Sequence, residues 1–340
     1  MFQNEKAVVR ELYEAMRGID GDGIGDVLAN HTTQDWHWCG MHPFYERHGA
    51  SDVAAAFWVP LLGSLTQLQR REDIFFAGQN TVGGGVWVVS MGHLMGLFDK
   101  SWLGIVPTHK MAFLRYCEFN RVVEDKIVET MLHVDIPHLM TQAEQNPFPP
   151  QTAAHVVQSG PMTHGGLLYA HQPAEMGEMT LATINAMIGD LGTWNNDLPL
   201  EQELARTWHD DMIWWGPGGI GATYTIERYA KQHSGPFRAA FYDRGTTGHV
   251  ARVAEGHFGG FFGWPNFRAK HRGGFMGMVG NEQDCEFRVI DIYRREGDKL
   301  AENWVFIDLL YWFHQQGDDV LARMSSICLL YTSDAADERL

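Results

Sequence analysis

Phe287-Arg288-Val289-Ile290-Asp291-Ile292-Tyr293-Arg294 and Leu300-Ala301-Glu302-Asn303-Trp304-Val305-Phe306-Ile307-Asp308, joined through Glu296-Gly297-Asp298, are the stretch that decides the fold. Both runs are rich in β-branched and aromatic residues, and the residues between them favour a tight turn. Two such runs so joined pair as an antiparallel hairpin.

The hairpin is written twice. Lys126, Glu129, Asp135 and Gln142 recur as Lys299, Glu302, Asp308 and Gln315, each 173 residues on. Arg115, Glu118, Arg121 and Asp125 recur as Arg288, Asp291, Arg294 and Asp298 at the same offset. Upstream the offset drifts, as loop insertions make it. Asp35 to Gly40 then corresponds to Asp211 to Gly216, Gly49-Ala50-Ser51 to Gly221-Ala222-Thr223, and Gly92-His93 to Gly256-His257. A fixed-offset repeat of this kind signals duplicated structural units.

Each unit reads helices first and strands later. Glu5 to Met16 carries Val8, Val9, Leu12, Tyr13 and Met16 at helical spacing. Helices are also expected at Ile24–Asn30 and Asp52–Leu65, then at Thr183–Trp194, Leu200–Trp208 and Thr225–Gln232. Strands are expected at Glu72–Ala77, Gly85–Gly92, Lys110–Val123 and Ile127–Asp135. In the second unit they are expected at Thr246–Phe258, Arg272–Val279, Cys285–Arg294 and Leu300–Asp308. Helices followed by antiparallel strands make an α+β plan. The units span residues 1–145 and 180–324, with a Pro-rich linker at 146–179 whose His155, His164 and His171 read as surface residues.

The chain has 340 residues, 26 Lys+Arg against 42 Asp+Glu, a formal charge of −16 and 45% hydrophobic residues. That charge argues against nucleic-acid and anionic-membrane partners, since phosphates are repelled. No apolar run is long enough for a membrane span, and residues 1–18 lack the apolar core of a signal peptide. Cys39, Cys117, Cys285 and Cys328 are far apart, without metal-ligand spacing. A reducing cytoplasm is the expected compartment. The string from Cys328 to Glu338 resembles one reading frame of a sequencing adapter, so 325–340 are expected to be non-native and the gene to come from an environmental assembly.

The hairpin, its terminal acid, the short apolar run after it and Gln315-Gln316-Gly317 together resemble SnoaL-like polyketide cyclases. Lys126 to Gln142, Gly96-Leu97-Phe98, Pro107-Thr108 and Gly260 to Pro265 resemble that family more loosely. The resemblance implies two cone-shaped units, each a curved antiparallel sheet wrapped by about three helices around an apolar pocket, as in nuclear transport factor 2 and ketosteroid isomerase. Family members pair through their sheets. A tandem copy would make an intrachain pseudo-dimer, with further self-association left open.

The resemblance also implies that the acid ending the hairpin, Asp308 or Asp135, is the general acid/base. Its substrate would be a small hydrophobic carbonyl compound, undergoing aldol-type cyclisation, isomerisation or a lyase step without a cofactor. Strand alternation puts Asp135 on a face with His133, and Asp308 with Phe306 and Trp304. The competing reading is that both aspartates cap the helices that follow. His93 and His257 are candidate assistants, and Trp36, Trp38 and Trp214 candidate pocket walls. A metal set from His133, Asp135 and His138 is disfavoured because Pro137 interrupts its geometry, so no metal is expected. The alternatives are a ligand-binding module without chemistry and an epoxide-hydrolase-like site, the latter needing a second acid and an arginine, such as Arg115 or Arg288.

Overall fold

The computed structural model describes residues 2–193 and 198–326. The adapter-like string and Trp194 lie outside the described residues. The first unit opens with helices α1 (Gln3–Ala15) and α2 (Ile24–His31), then strands β1 (Thr32–Gly40) and β2 (Tyr45–His48). Helix pieces α3 (Ala50–Val53) and α4 (Val59–Ser64) flank a π-helical turn at Ala54–Trp58. Strands β3 (Leu65–Gln79), β4 (Val86–Phe98), β5 (Met111–Val123) and β6 (Lys126–Val134) and helix α5 (Ile136–Gln142) complete it.

The second unit repeats the plan. It has α6 (Ala174–Thr193), α7 (Leu200–Leu204), β7 (Trp208–Trp215), β8 (Ala222–Tyr224), α8 (Ile226–Tyr229), a π turn at Ala230–Ser234 and α9 (Gly235–Ala240). Then come β9 (Phe241–Thr246), β10 (Ala251–Glu255), β11 (Phe258–Phe262), β12 (Phe267–His271), β13 (Asp284–Phe287), β14 (Val289–Glu296), β15 (Lys299–Ile307) and α10 (Leu309–Gln315). The α+β class is as expected. The helix α6 begins inside the segment read as linker, and the rest of that segment lays Leu167 beside Phe75 and Ala154 beside Ala222 as isolated bridges.

The first sheet runs β2-β1-β6-β5-β4-β3 and the second β8-β7-β15-β14-β11-β10. Each contains one parallel pair, β1 with β6 and β7 with β15, so the sheets are mixed rather than purely antiparallel. The long strands β3 and β4 are continuous, whereas their counterparts break and form a third sheet, β13-β12-β9. Pro265, which has no N–H for the ladder, stands at one such break, between β11 and β12. The strand expected at Arg272–Val279 is instead loop around a 3₁₀ turn at Phe275–Gly277. Gly273 and Gly274 there have φ of 113° and 90°, outside the extended region.

The repeated register residues do the same structural work in both units. Lys126 and Lys299 donate to the carbonyls of Asn30 and Ala205 near the ends of α2 and α7. Glu129 and Glu302 pair with Arg121 and Arg294 on the neighbouring strand. Gln142 clamps the backbone N–H and C=O of Phe113, and Gln315 does so at Glu286.

Each sheet is buried on both faces. One face closes over the helices of its own unit. The other meets the second sheet in a shared apolar cluster, in which Phe76, Trp87, Val89, Met91, Phe119 and Met131 meet Val253, Phe258, Phe262, Ile292, Trp304 and Phe306. A buried ion pair, Lys6 with Glu255 at 2.7 Å, ties α1 to β10, and Glu255 also accepts from the Ala77 amide at 2.8 Å. The intrachain pairing of two cones follows from this shared core.

Candidate functional site

Alternation along β14 sorts its residues. Ile290 and Ile292 point into the cluster between the sheets, while Val289, Asp291 and Tyr293 point into the second cone. On β15, Trp304 and Phe306 face the other unit, and Asn303, Val305 and Ile307 face the cone. The cone encloses a cavity of about 160 Å³ whose wall includes Trp214, Tyr229, His233, Arg244, His249 and Phe261. Asp291 is the one carboxylate in that wall among the described residues.

Asp291 is held by neutral groups. Asn303 Nδ2 donates to its Oδ1 at 3.2 Å, and the Tyr293 hydroxyl donates to it as well. Removal from water disfavours the charged form, and Asp291 is pushed up to about 6 despite these bonds and the more distant Arg244 guanidinium. Burial pushes His233 and His249 down to about 3, so both rings are neutral at pH 7. His233 stacks on Trp214 with centroids 3.9 Å apart, and His249 on Phe261 at 4.0 Å. His249 Nδ1 accepts from Arg252, which leaves its Nε2 as the donor. A carboxyl poised near 6 in a mostly apolar wall can accept or give a proton close to neutral pH.

The first cone has Glu118 at the matching place, and there the acid is neutralised. Arg70 Nη1 lies 2.9 Å from it and the Tyr13 hydroxyl donates at 2.6 Å. The Arg70 guanidinium in turn lies 3.8 Å from the Tyr13 ring centre and 4.6 Å from that of Tyr116. A groove of about 730 Å³ opens outside this cluster, along Arg10, Tyr13, Arg70, Glu72 and Tyr169. It offers charge and room, with the Arg10 guanidinium 4.4 Å from the Tyr169 ring centre and Glu72 accepting from the Tyr169 hydroxyl at 3.1 Å.

The expected catalytic residues fall elsewhere. Asp135 caps α5, accepting from His138 N at 3.0 Å, and crosses to the other unit to accept from Gly218 N at 3.0 Å. Asp308 caps α10 through Tyr311 N at 3.1 Å and accepts from His42 N of the first unit at 2.9 Å. Arg115 and Arg288 stand 3.8 Å and 4.0 Å from these two carboxylates. Burial pushes Asp308 up to about 6 as well, against the His42 bond and Arg288. Both acids lie at the seam between units rather than in a cone, so the capping reading accounts for them. The two-acid set of an epoxide-hydrolase-like site is not assembled in the second cone among the described residues.

His93, His133, Trp304 and Phe306 also lie on the inter-unit face, not in a cone. His93 pairs with Asp73 at 3.3 Å, and His133 stands edge-on to Trp264. His257 is exposed in the turn between β10 and β11, so its proposed equivalence to His93 fails. Met91 pairs with Cys117, and Phe262 with Ile290, 173 residues after Cys117. Continuing that register aligns His93 with Trp264, whose ring covers Arg288 at 3.7 Å. Trp36 and Trp38 are packed in the first cone, Trp36 donating to Thr130 Oγ1 at 3.0 Å. Trp214 lines the second cavity.

Asp291 was visible in the sequence as the repeat partner of Glu118. Its alternation with Ile290 and Ile292 sets it on the opposite face from them, and only the packing of the two sheets makes that face the cone's.

No curated protein matches the chain. Solved structures that resemble parts of it include a "Putative SnoaL-like polyketide cyclase" from Jannaschia sp. CCS1 at 23% identity, covering 43% of this chain and 94% of that one, with a TM-score of 0.33. AclR, "a putative hydroxylase" from Streptomyces galilaeus, is similar at 19% identity over 44% of this chain and 87% of its own, with a TM-score of 0.36. An NTF2-like protein from Burkholderia xenovorans LB400 is similar at 12% identity, covering 41% and 95%, with a TM-score of 0.33. No helix among the described residues is long and apolar enough to cross a membrane. Residues 264–316, from the tryptophan over Arg288 to the end of α10 and all within the second unit, match the family model for SnoaL-like polyketide cyclase.

Proposed function

We propose that the second cone binds a compact, largely apolar carbonyl compound and moves a proton at the carbon beside its carbonyl through the Asp291 carboxyl. The observation that carries this reading is a partly buried acid, held by Asn303 and Tyr293 and pushed up to about 6, in the wall of a mostly apolar cavity. A volume of about 160 Å³ is below the roughly 300 Å³ at which pockets for drug-sized ligands begin. That favours a single-ring or short-chain substrate.

In this mechanism the Asp291 carboxylate takes the proton, and the electron pair of the C–H bond moves to the carbonyl oxygen as an enolate. The His249 Nε2–H and the Tyr229 hydroxyl are the neutral donors available to that oxygen. Return of the proton to a different carbon gives isomerisation. Attack of the enolate on a second carbonyl gives an aldol closure.

The test is exchange of carbon-bound hydrogen for deuterium in D2O, read by NMR on a panel of small cyclic ketones and 1,3-diketones. The expected result is exchange with the native chain and its loss in Asp291→Asn. Equal exchange by both proteins sinks the proposal.

A second reading is ligand binding without chemistry. The observation favouring it is that Asp135 and Asp308 are bound to backbone amides and turned away from the cones. Saturable ligand binding in the second cone with no exchange for any compound bound is its expected signature.

A further inference from the structure

The three-strand edge β2-β1-β6 carries a cluster that the proton chemistry does not use. His37 on β1 lies directly opposite His48 on β2, and Glu129 of β6 is its partner on the other side. Cys39, two residues on from His37 and so on the same face, is opposite Glu46. Ligand atoms of His37, Glu46 and His48 all fall within 4.8 Å of one another.

We propose that His37, His48 and Glu46 form a binding site for a single divalent cation of the Zn2+ class. Two imidazoles and a carboxylate are the donor set that borderline divalent cations prefer, and a water can complete four-coordination. The ring of His37 is arranged for this on both sides. Its Nε2 lies 3.6 Å from Glu46 Oε2 and 3.5 Å from the Cys39 sulfur, while its Nδ1 lies 3.6 Å from Glu129 Oε1. A carboxylate behind the non-ligating nitrogen fixes the tautomer that turns the other nitrogen toward a metal.

The rings of His37 and His48 are near-parallel with centroids 5.1 Å apart, so small rotations about their side-chain bonds bring one nitrogen of each onto a common ion. The His37 side chain is 34% exposed and that of Glu46 53%, which leaves an ion free to enter.

The fold itself does not ask for these side chains. In the second unit the pair opposite each other at the same place is Ile213 and Tyr224. Glu46 also accepts from Trp264 Nε1 of the other unit at 2.9 Å, so an ion here would sit at the rim of the seam between the cones.

The probe is Zn2+ alone, titrated by calorimetry at pH 7.5 into the full chain after chelator treatment. One tight equivalent is expected. His48→Gln and Glu46→Gln are each expected to weaken it at least about tenfold. His48 is exposed and its replacement leaves the core intact, so thermal melts of His48→Gln matching the native chain separate lost binding from lost folding. Binding of the same strength and stoichiometry in His37→Gln, His48→Gln and Glu46→Gln overturns the proposal, as does the absence of a tight equivalent in the native chain.

Discussion

Glu118 and Asp291 hold the same place in two copies of one strand, 173 residues apart, yet their company is opposite. Glu118 receives Arg70 at 2.9 Å and the Tyr13 hydroxyl at 2.6 Å. Among the described residues, Asp291 has in hydrogen-bond contact only the neutral Asn303 and Tyr293. A buried carboxylate with a cation is a structural ion pair, and one without a close cation is held near its neutral form. Duplication thus leaves one cone closed by its own ion pair and the other with a carboxyl at the cavity wall.

Asp291 should make stability fall as pH rises. Its folded-state value, about 6, lies above the ordinary carboxyl value of 3.8. Its favourable contribution is therefore fully present below about pH 4 and is lost as pH rises through 6. Asp308 has the same sign, so the native chain alone mixes the two. The clean measurement is the stability difference between native and Asp291→Asn by denaturant unfolding at pH 4 and pH 7.5. The variant should gain relative to the native chain at the higher pH. An unchanged difference sinks the assignment.

Activity should follow the same group with the opposite sign. A base must be ionised to take a proton, so kcat/KM for exchange should rise through pH about 6 and level off above it. Asn303→Leu removes the bond that favours the ionised form, and it should move that rise upward. A pH profile insensitive to Asn303 argues that another group takes the proton.

Arg70 should be far more costly to lose alone than together with its partner. Arg70→Met leaves the Glu118 charge buried beside Tyr13. Breaking such a pair on one side destabilises by about 3–5 kcal/mol. The double variant Arg70→Met/Glu118→Gln should recover much of that loss, since no net charge is then left without a partner. Chemical denaturation of the two single variants and the double closes the cycle. Additive losses contradict a direct pair.

The fold was legible because the repeated hairpin carries residues with fixed backbone duties, such as the Gln142 and Gln315 clamps. The site was less so, for a physical reason. Each sheet is buried on both faces, one by its own helices and one by the other unit, so both sets of alternate residues are apolar. Trp304 and Phe306 look no more interfacial in sequence than Val305 and Ile307 look cavity-lining. The repeat also marked Asp135 and Asp308 strongly, but what repeats in both units is their capping and their bond to the other unit. His257 was aligned on a shared Gly-His pair, whereas strand register aligns Trp264 with His93.

Asp308→Ala and Asp308→Asn separate capping from catalysis. Alanine removes the acceptor for both Tyr311 N and His42 N, one within α10 and one across the seam. The lost cap and the buried donor left unpaired together cost about 2–4 kcal/mol. Asparagine keeps an acceptor oxygen and caps nearly as well as aspartate, so it should cost less. Neither change touches the second cavity, because Asp308 is not in its wall. Deuterium exchange per folded molecule should therefore be the same in Asp308→Asn as in the native chain, and so should its rise through pH about 6. Loss of exchange in Asp308→Asn, with melting unchanged, would return the proton-carrying role to Asp308 and take it from Asp291.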